Sequence, residues 1–338
     1  MDVLSLIKPQ ELAEFTESYS YNRNYMGQKL FTPVKTENPK ISYEQLVEGG
    51  ELPVMAQVHA LDTEARIGER PNFQKVELEK LLIKEKLPVS ERVAYFLRNG
   101  GNQDGVVRYI FNDAANLLSR VITRTEVANM ELLSTGKITV EENNAKYTVD
   151  YGFKSDNKLT FSGWEKPAHG ILADLNSVQK KAQAKGFKIV RAITSSTVIG
   201  YMLANTEIKS FWKDKTAPLT QTSLLAWIND YYGIEFVVND DVYKVNVNDS
   251  TTKRFFDEKA ICFLSTKGSL GRGFFGVTPE EIQLRDKVGH NIKESSLCTL
   301  TMWAQDDPAV TWTKATGMYL PAPIAVNKMF IANLTTEA

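Results

Sequence analysis

The stretch VVRYIFNDAANLLSRVITRTEVANMELLS, residues 106–134, predicts one helix of about 29 residues. At about 1.5 Å per residue it would run roughly 43 Å, far past the usual length of about 10–14 residues. Ile110, Ala114, Leu117, Leu118, Val121, Ala128 and Leu132 recur at steps built from threes and fours, so they share one face. Arg108, Asn112, Asn116, Thr123 and Glu126 fall largely elsewhere. Gly100, Gly101, Asn102, Asp104 and Gly105 make a loop before it, with Asp104 placed as its N-cap. Gly136 stands where a glycine C-cap belongs. Such helices occur in scaffolds and enzymes alike, and this one needs something packed against its apolar face.

Downstream the period changes to two. Ile138, Val140, Tyr147, Val149, Tyr151 and Phe153 alternate with polar residues about Asn143-Asn144, which predicts a hairpin. Leu159 and Phe161 add a strand, and residues 164–170 read as a junction. A second domain begins near Pro167, with helices over 171–185, 195–205 and 220–231. In the last of these, Thr220 is the cap and Leu224, Leu225, Trp227 and Ile228 are the buried positions. Strands over 187–193, 234–238, 242–247 and 260–264 accompany them, and strands over 298–304, 310–312, 317–320 and 326–332 close the chain. The mixture predicts an α+β protein of two domains, whose last strand returns beside the early ones.

Upstream, Pro88 opens a short helix over 89–98. Residues 52–60 and 73–86 are rich in β-formers and flank the charged loop 62–72, which predicts a long two-stranded ribbon. A ribbon alone is marginal in water, so it must lie on its own domain or on another subunit. In its loop, Asp62, Glu64, Arg66 and Arg70 alternate in charge and suit a subunit contact. Residues 1–30 form an arm with a short helix over 9–17. Tyr19, Tyr21, Tyr25 and Phe31 follow in polar company and need a surface on this chain or a neighbouring subunit.

Charge and chemistry narrow the function. With 40 basic and 41 acidic residues the net charge is −1, so the chain as a whole is no basic nucleic-acid binder. Cys262 and Cys298 favour two buried thiols over a disulfide. No run approaches the 18 or so apolar residues of a membrane span, and the start MDVLSLIKPQEL lacks signal-peptide regions. The GxxxxGK[ST], GxSxG and HExxH motifs are absent. The glycine-rich KGSLGRG at 267–273 has no helix opening directly after it, as a phosphate cradle needs. His59, His169 and His290 are far apart, so any zinc site would have to be assembled by the fold. No catalytic site, metal or cofactor is expected. Trp303 and Trp312 flank Asp306-Asp307-Pro308 and read as core, or less readily as a ligand cleft.

Two stretches carry a family likeness: LPVMAQVHALDTEARIG at 52–68 and KAICFLSTKGSLGRGFFGVTPEE at 259–281. With the order of elements from about residue 28 onward, they resemble the major capsid proteins of tailed bacteriophages, of the lambda-like protein E type with the HK97 capsid fold. The resemblance implies an N-terminal arm at 1–35 and an extended β-hairpin loop at 36–87 that lies over an adjacent subunit. It also implies a spine helix at 106–134 in a peripheral domain, 88–167 and 301–338, and a mixed α/β axial domain at 168–300. Tyr21, Tyr25, Phe31, Asp62, Glu64, Arg66 and Arg70 then become the subunit-contact candidates, and Lys267 and Arg272 belong to a loop near an axis. The implied function is a structural subunit of an icosahedral head, assembled in the bacterial host cytoplasm and found in the virion. The implied partners are copies of itself in hexamers and pentamers, a separate scaffolding protein, a portal, in some relatives a decoration protein, and packaged DNA held non-specifically. The competing readings are a soluble enzyme with a site at the domain junction, near 164–169 and 303–307, and a cellular shell that encloses cargo.

Overall fold

The computed structural model describes residues 6–19, 24–38, 40–46, 73–89, 103–142, 145–212, 218–285, 296–306 and 310–336. Along the chain, α1 (Pro9–Ser18) and α2 (Met26–Leu30) precede β1 (Phe31–Thr36), β2 (Lys40–Leu46), β3 (Phe73–Glu79) and β4 (Leu81–Val89). The long helix α3 spans Gln103–Thr135. After it come β5 (Lys137–Glu142), β6 (Ala145–Asp150), β7 (Lys158–Ser162), α4 (Ile171–Ala184), β8 (Arg191–Thr194), α5 (Ser196–Ala204), α6 (Thr206–Ser210), α7 (Gln221–Tyr232) and β9 (Glu235–Val238). The small pair β10 (Val242–Tyr243) and β11 (Lys253–Arg254) leads into β12 (Ala260–Leu264), β13 (Gly271–Gly276), α8 (Pro279–Leu284), β14 (Thr299–Gln305), β15 (Val310–Pro323) and β16 (Met329–Thr335).

Two compact units form. Unit 1 is Met1–Ser42, Glu77–Asn129 and Gly271–Ala322; unit 2 is Tyr43–Val76, Met130–Leu270 and Pro323–Ala338. Residues 271–300, grouped in the sequence reading with the axial segment, fold in unit 1. Helix α3 contributes to both units, its residues to Asn129 in one and from Met130 in the other.

All seven residues of the apolar stripe on α3 are buried. Burial is wider than the stripe, because Thr125, Glu126 and Asn129 are also inside. The helix stops as expected at Gly136, whose φ is +76° and whose N–H bonds to Leu132 O at 2.8 Å. Asp104, expected as the N-cap, stands instead within the first turn, where its charge favours the helix dipole.

In unit 1 the sheet order is β1-β13-β15-β14, with β4 also paired to β15. Strand β13 lies parallel to β1, while β14 and β4 are both antiparallel to β15. Two expected strands at 310–312 and 317–320 are one strand of 14 residues. Within it the bare Cα of Gly317 serves packing: a Cβ there would sit 2.8 Å from Val121 Cγ1 on α3. The ribbon also differs. Its paired strands are β2 and β3, whereas residues 81–89 leave it to join β15. Pro88, expected to open a helix, lies in β4 opposite Trp312. The stretches 52–60 and 90–98 lie outside the described residues.

In unit 2 the sheet order is β7-β16-β12-β8-β9, and the central strand β12 is buried at every residue. The final strand β16 does return beside an early one, parallel to β7, and it also pairs with β12. The β5–β6 hairpin forms, closed by ion pairs between Lys137 and Asp150 at 2.8 Å and between Lys146 and Glu141 at 3.0 Å. Helices α4, α5 and α7 bury Leu175, Val178, Val198, Ile199, Met202, Leu224 and Ile228 against Phe263 and Phe330 in one cluster. Ser195 and Thr220 cap α5 and α7, and Gly233 ends α7 in the left-handed conformation. Trp227 and Leu225, expected inside, are only half-buried. Both cysteines are buried and free. No described helix is long and apolar enough to cross a membrane.

Candidate assembly surface

Within unit 1 the N-terminal arm is laid along α3. The Phe15 and Phe111 rings lie 5.0 Å apart. Tyr19 donates to Ala115 O at 3.1 Å, Tyr25 Oη and Thr123 Oγ1 are 3.0 Å apart, and Gly27 N–H donates to Glu126 Oε1 at 2.7 Å. Arm and helix residue numbers rise together, so the arm runs parallel to α3. Tyr25 and Phe31, expected at a subunit contact, are therefore core residues of unit 1, with Phe31 only 1% exposed. Their aromatic surface is covered by the same chain. Tyr21 and the loop residues Asp62, Glu64, Arg66 and Arg70 lie outside the described residues.

A buried polar thread continues from that anchor. Asn129 Nδ2 lies 3.4 Å from Glu126 Oε2, and Tyr319 donates to Asn129 Oδ1 at 2.7 Å. Burial raises the Tyr319 phenol well above its ordinary pKa, so it is a fixed donor. Gly273 completes the fit, since a Cβ there would lie 2.6 Å from the Tyr319 oxygen. The burial of Glu126, read from the sequence as lying off the apolar face, follows from its role as acceptor for the Gly27 amide.

The unit 1 sheet has two unlike faces. Directly opposed residues of an antiparallel ladder share a face. The register opposes Lys84 to Thr316, Lys86 to Lys314 and Pro88 to Trp312, and on the other side of β15 Trp303 to Trp312 and Thr301 to Lys314. Lys84, Lys86, Trp303, Trp312 and Lys314 thus stand together across three strands. The alternate residues meet α3: Glu85 pairs with Arg120, and Gly317 abuts Val121. On the lysine face, Lys86 Nζ sits 3.9 Å from the centroid of Trp312, Lys314 Nζ 5.4 Å from that of Trp303, and the two indoles stack at 6.4 Å. Trp312 Nε1 donates to Gln305 Oε1 at 2.8 Å.

Helix α8 closes one end of this face. Thr278 caps it, accepting the Glu281 N–H, and Pro279 fills its first turn. Glu280 receives Lys314 at 2.7 Å and Lys84 at 3.2 Å. Glu281, buried beneath, takes Lys35 at 2.9 Å and Arg285 at 3.0 Å, and Lys35 also donates to Ser296 O at 2.7 Å. Desolvation alone would raise the Glu280 carboxyl, but the Lys314 and Lys84 hydrogen bonds and the Lys314 charge outweigh it and hold the pKa below its ordinary value. The sequence reading passed over α8, although Thr-Pro-Glu-Glu is a legible start signal: a capping threonine, proline at the first position, and glutamate three residues after the cap.

The remaining candidates scatter. Lys267 is exposed in the loop after β12 and pairs with Glu235 at 3.2 Å. Arg272, expected in the same loop, is in β13 opposite Thr32, because the glycines on either side of it are strand residues buried in the unit 1 sheet. The two stretches named for a junction site belong to separate units, 164–169 to unit 2 and 303–306 to unit 1. Trp164 Nε1 and His169 Nε2 both lie 2.8 Å from Asp174 Oδ2, which braces the loop before α4. Burial raises the Cys262 thiol far above its ordinary pKa, the opposite of what a nucleophile needs. Among the described residues no group of three or more His, Cys, Asp or Glu is placed to hold a metal ion.

A family model described as phage major capsid protein E matches residues 8–332. The chain belongs to the phage major capsid protein E family. Among solved structures, a prophage protein of E. coli CFT073 assigned as a capsid protein superposes with a TM-score of 0.64 at 13% identity, covering 97% of this chain and 99% of that one. The capsid of Myoviridae phage XM1 gives 0.48 at 11% identity, over 94% and 95% of the two chains. The virus-like particle of Pyrococcus furiosus gives 0.44 at 12%, over 97% and 98%. The fold assignment rests on the first of these. No curated protein sequence matches the chain significantly. This capsid protein E family member has an α+β fold of mixed helices and sheets that resembles that of the E. coli prophage protein.

Proposed function

We propose that this protein is the structural subunit of an icosahedral phage head of the lambda-like type, found in the virion and enclosing DNA. The observation that carries the reading is the family match over residues 8–332, nearly the whole chain. In this reading α3 is the spine helix, the β2–β3 ribbon is the base of an extended loop that lies over a neighbouring subunit, and residues 168–270 gather around hexamer and pentamer axes. The chain would have no catalytic role. Its partners would be its own copies, a separate scaffolding protein, a portal, a decoration protein where one is present, and packaged DNA contacted through phosphates rather than bases.

Negative-stain electron microscopy with a solution mass measurement tests this, on the purified chain and on the chain co-expressed with its genomic neighbours. Closed shells, tubes or rings of five and six are the expected result. A chain that stays monomeric in both preparations would overturn it. Particles that hold a protein cargo and no DNA would assign the chain to a cellular shell instead.

A further inference from the structure

The two strands of the ribbon have their roots at one end of the unit 1 sheet. Strand β1 ends at Thr36 and β2 begins at Lys40; β3 ends at Glu79 and β4 begins at Leu81, with Lys80 alone between them. The roots, 37–42 and 77–80, both belong to unit 1. The Lys80 side chain ties them together. Its stem lies over β13, where the bare Cα of Gly276 makes room: a Cβ there would come within 3.0 Å of Lys80 Cδ, 3.1 Å of its Nζ and 3.1 Å of Met318 Cβ on β15. The ammonium then reaches the end of β1, donating to Thr36 Oγ1 at 2.6 Å and Asn38 O at 2.5 Å, with Thr36 O at 3.5 Å.

This ammonium is buried without a counter-charge. Lys80 is 3% exposed, and the acceptors it meets are neutral. Glu37, Lys40, Glu77 and Glu79 on the two roots are exposed, and none of them pairs with it among the described residues. On the strands around it, Lys35 is engaged with Glu281, Lys84 and Lys314 with Glu280, and Arg272 is exposed opposite Thr32. Burial beside neutral acceptors alone disfavours the charged form of an amine. Desolvation accordingly lowers the Lys80 pKa from 10.5 to about 8.

We propose that Lys80 is a proton-driven catch on the ribbon: protonation of its buried amine favours parting of the two roots, and loss of the proton favours their closure. The sign follows from solvation. When the roots part, Nζ meets water and holds its proton as an exposed lysine does. Above the pKa of the closed state, opening therefore takes up a proton, so closure tightens as pH rises from about 8 toward 10.5. The connection through Lys80 and the one from Thr36 to Lys40 are short joints at strand ends, the kind of position that absorbs a hinge rotation. The catch is built within one chain, so the inference goes beyond the shell reading and does not depend on it.

The test is amide hydrogen exchange of the full-length chain, followed by rapid-mixing mass spectrometry and corrected for the intrinsic pH dependence of exchange. Between about pH 7 and about pH 9, peptides covering 36–42 and 77–82 should gain protection by about tenfold. Protection of α3 and β12 should stay constant over the same range. The gain should vanish in Lys80→Met, which keeps an apolar stem without the amine, and in Lys80→Arg, whose guanidinium stays charged throughout. An equal gain in α3 and β12 would mean that Lys80 meets water only on global unfolding, and would overturn the proposal. Flat protection at the roots of the unsubstituted chain, or a gain that persists in either variant, would overturn it as well. Where a variant fails to fold, the contrast between the roots and α3 in the unsubstituted chain decides.

Discussion

Tyr319 donates its phenolic hydrogen to Asn129 Oδ1 at 2.7 Å, joining residues 190 apart in the chain. Both groups are buried, so neither has water as an alternative partner. Tyr319→Phe leaves the Asn129 oxygen without its donor and should cost about 1–3 kcal/mol of stability. Urea unfolding followed by circular dichroism measures it. A cost near zero would mean that water or a rotated amide replaces the hydroxyl.

Gly317 brings β15 against Val121 of α3. Gly317→Ala places a methyl group 2.8 Å from Val121 Cγ1, and overpacking of this kind costs about 1–3 kcal/mol. Pairing it with Val121→Ala should return part of the loss, and the double-mutant cycle on melting temperature reads the coupling.

Gly27 plays the matching part for the arm. A Cβ there would lie 2.5 Å from Glu126 Oε2 and 2.6 Å from Asn129 Cβ. Gly27→Ala should loosen the arm before it loosens the sheet. Limited proteolysis should then cleave the variant ahead of β1 several times faster than the unsubstituted chain. Equal cleavage rates would show that the arm is held by Phe15, Tyr19 and Tyr25 without the glycine contact.

Lys80 is buried between β3 and β4, and its ammonium donates to Thr36 Oγ1 at 2.6 Å and Asn38 O at 2.5 Å. Desolvation lowers its pKa from 10.5 to about 8. Between these values the unfolded chain binds the extra proton, so stability from this group rises as pH increases from about 8 toward 10.5. Denaturant titrations of the protein and of Lys80→Met should show their difference shifting in favour of lysine over that range. A constant difference would mean that the amine titrates normally.

Glu280 runs the opposite way. Its folded pKa lies below the ordinary 4.5, so its contribution is fully present above that value and is lost as pH falls through the folded pKa. Glu280→Gln should cost about 1–3 kcal/mol near neutrality, because its lysine hydrogen bonds lose their charge. It should also flatten the acid limb of the stability profile, measured by unfolding at stepped pH. An unchanged acid limb would place the pH dependence on other carboxylates.

Much of the fold was legible because it rests on local signals. The stripe from Ile110 to Leu132, the stop at Gly136, the caps at Ser195 and Thr220 and the buried run of β12 all depend on spacing or on one backbone conformation. Glu126 was misread because a glutamate in a helix reads as solvent-facing unless its partner is known. Its partner, the Gly27 amide, is 99 residues away in sequence. The candidate surface was hidden in the same way. Lys84, Lys86, Trp303, Trp312 and Lys314 carry no motif, and the residues read as contacts from the arm, Tyr25 and Phe31, proved to be core.

The amino-acid sequence by itself determined the elements, the long helix and the family, since these depend on periodicity, caps and two recognisable stretches. Strand partnership was left to the tertiary structure. It decided that β4 leaves the ribbon for β15, that β13 crosses to lie parallel to β1, and that three lysines and two tryptophans meet on one sheet face. Strand pairing is non-local: each ladder is selected by packing on both faces of the sheet, and no window of sequence contains both strands.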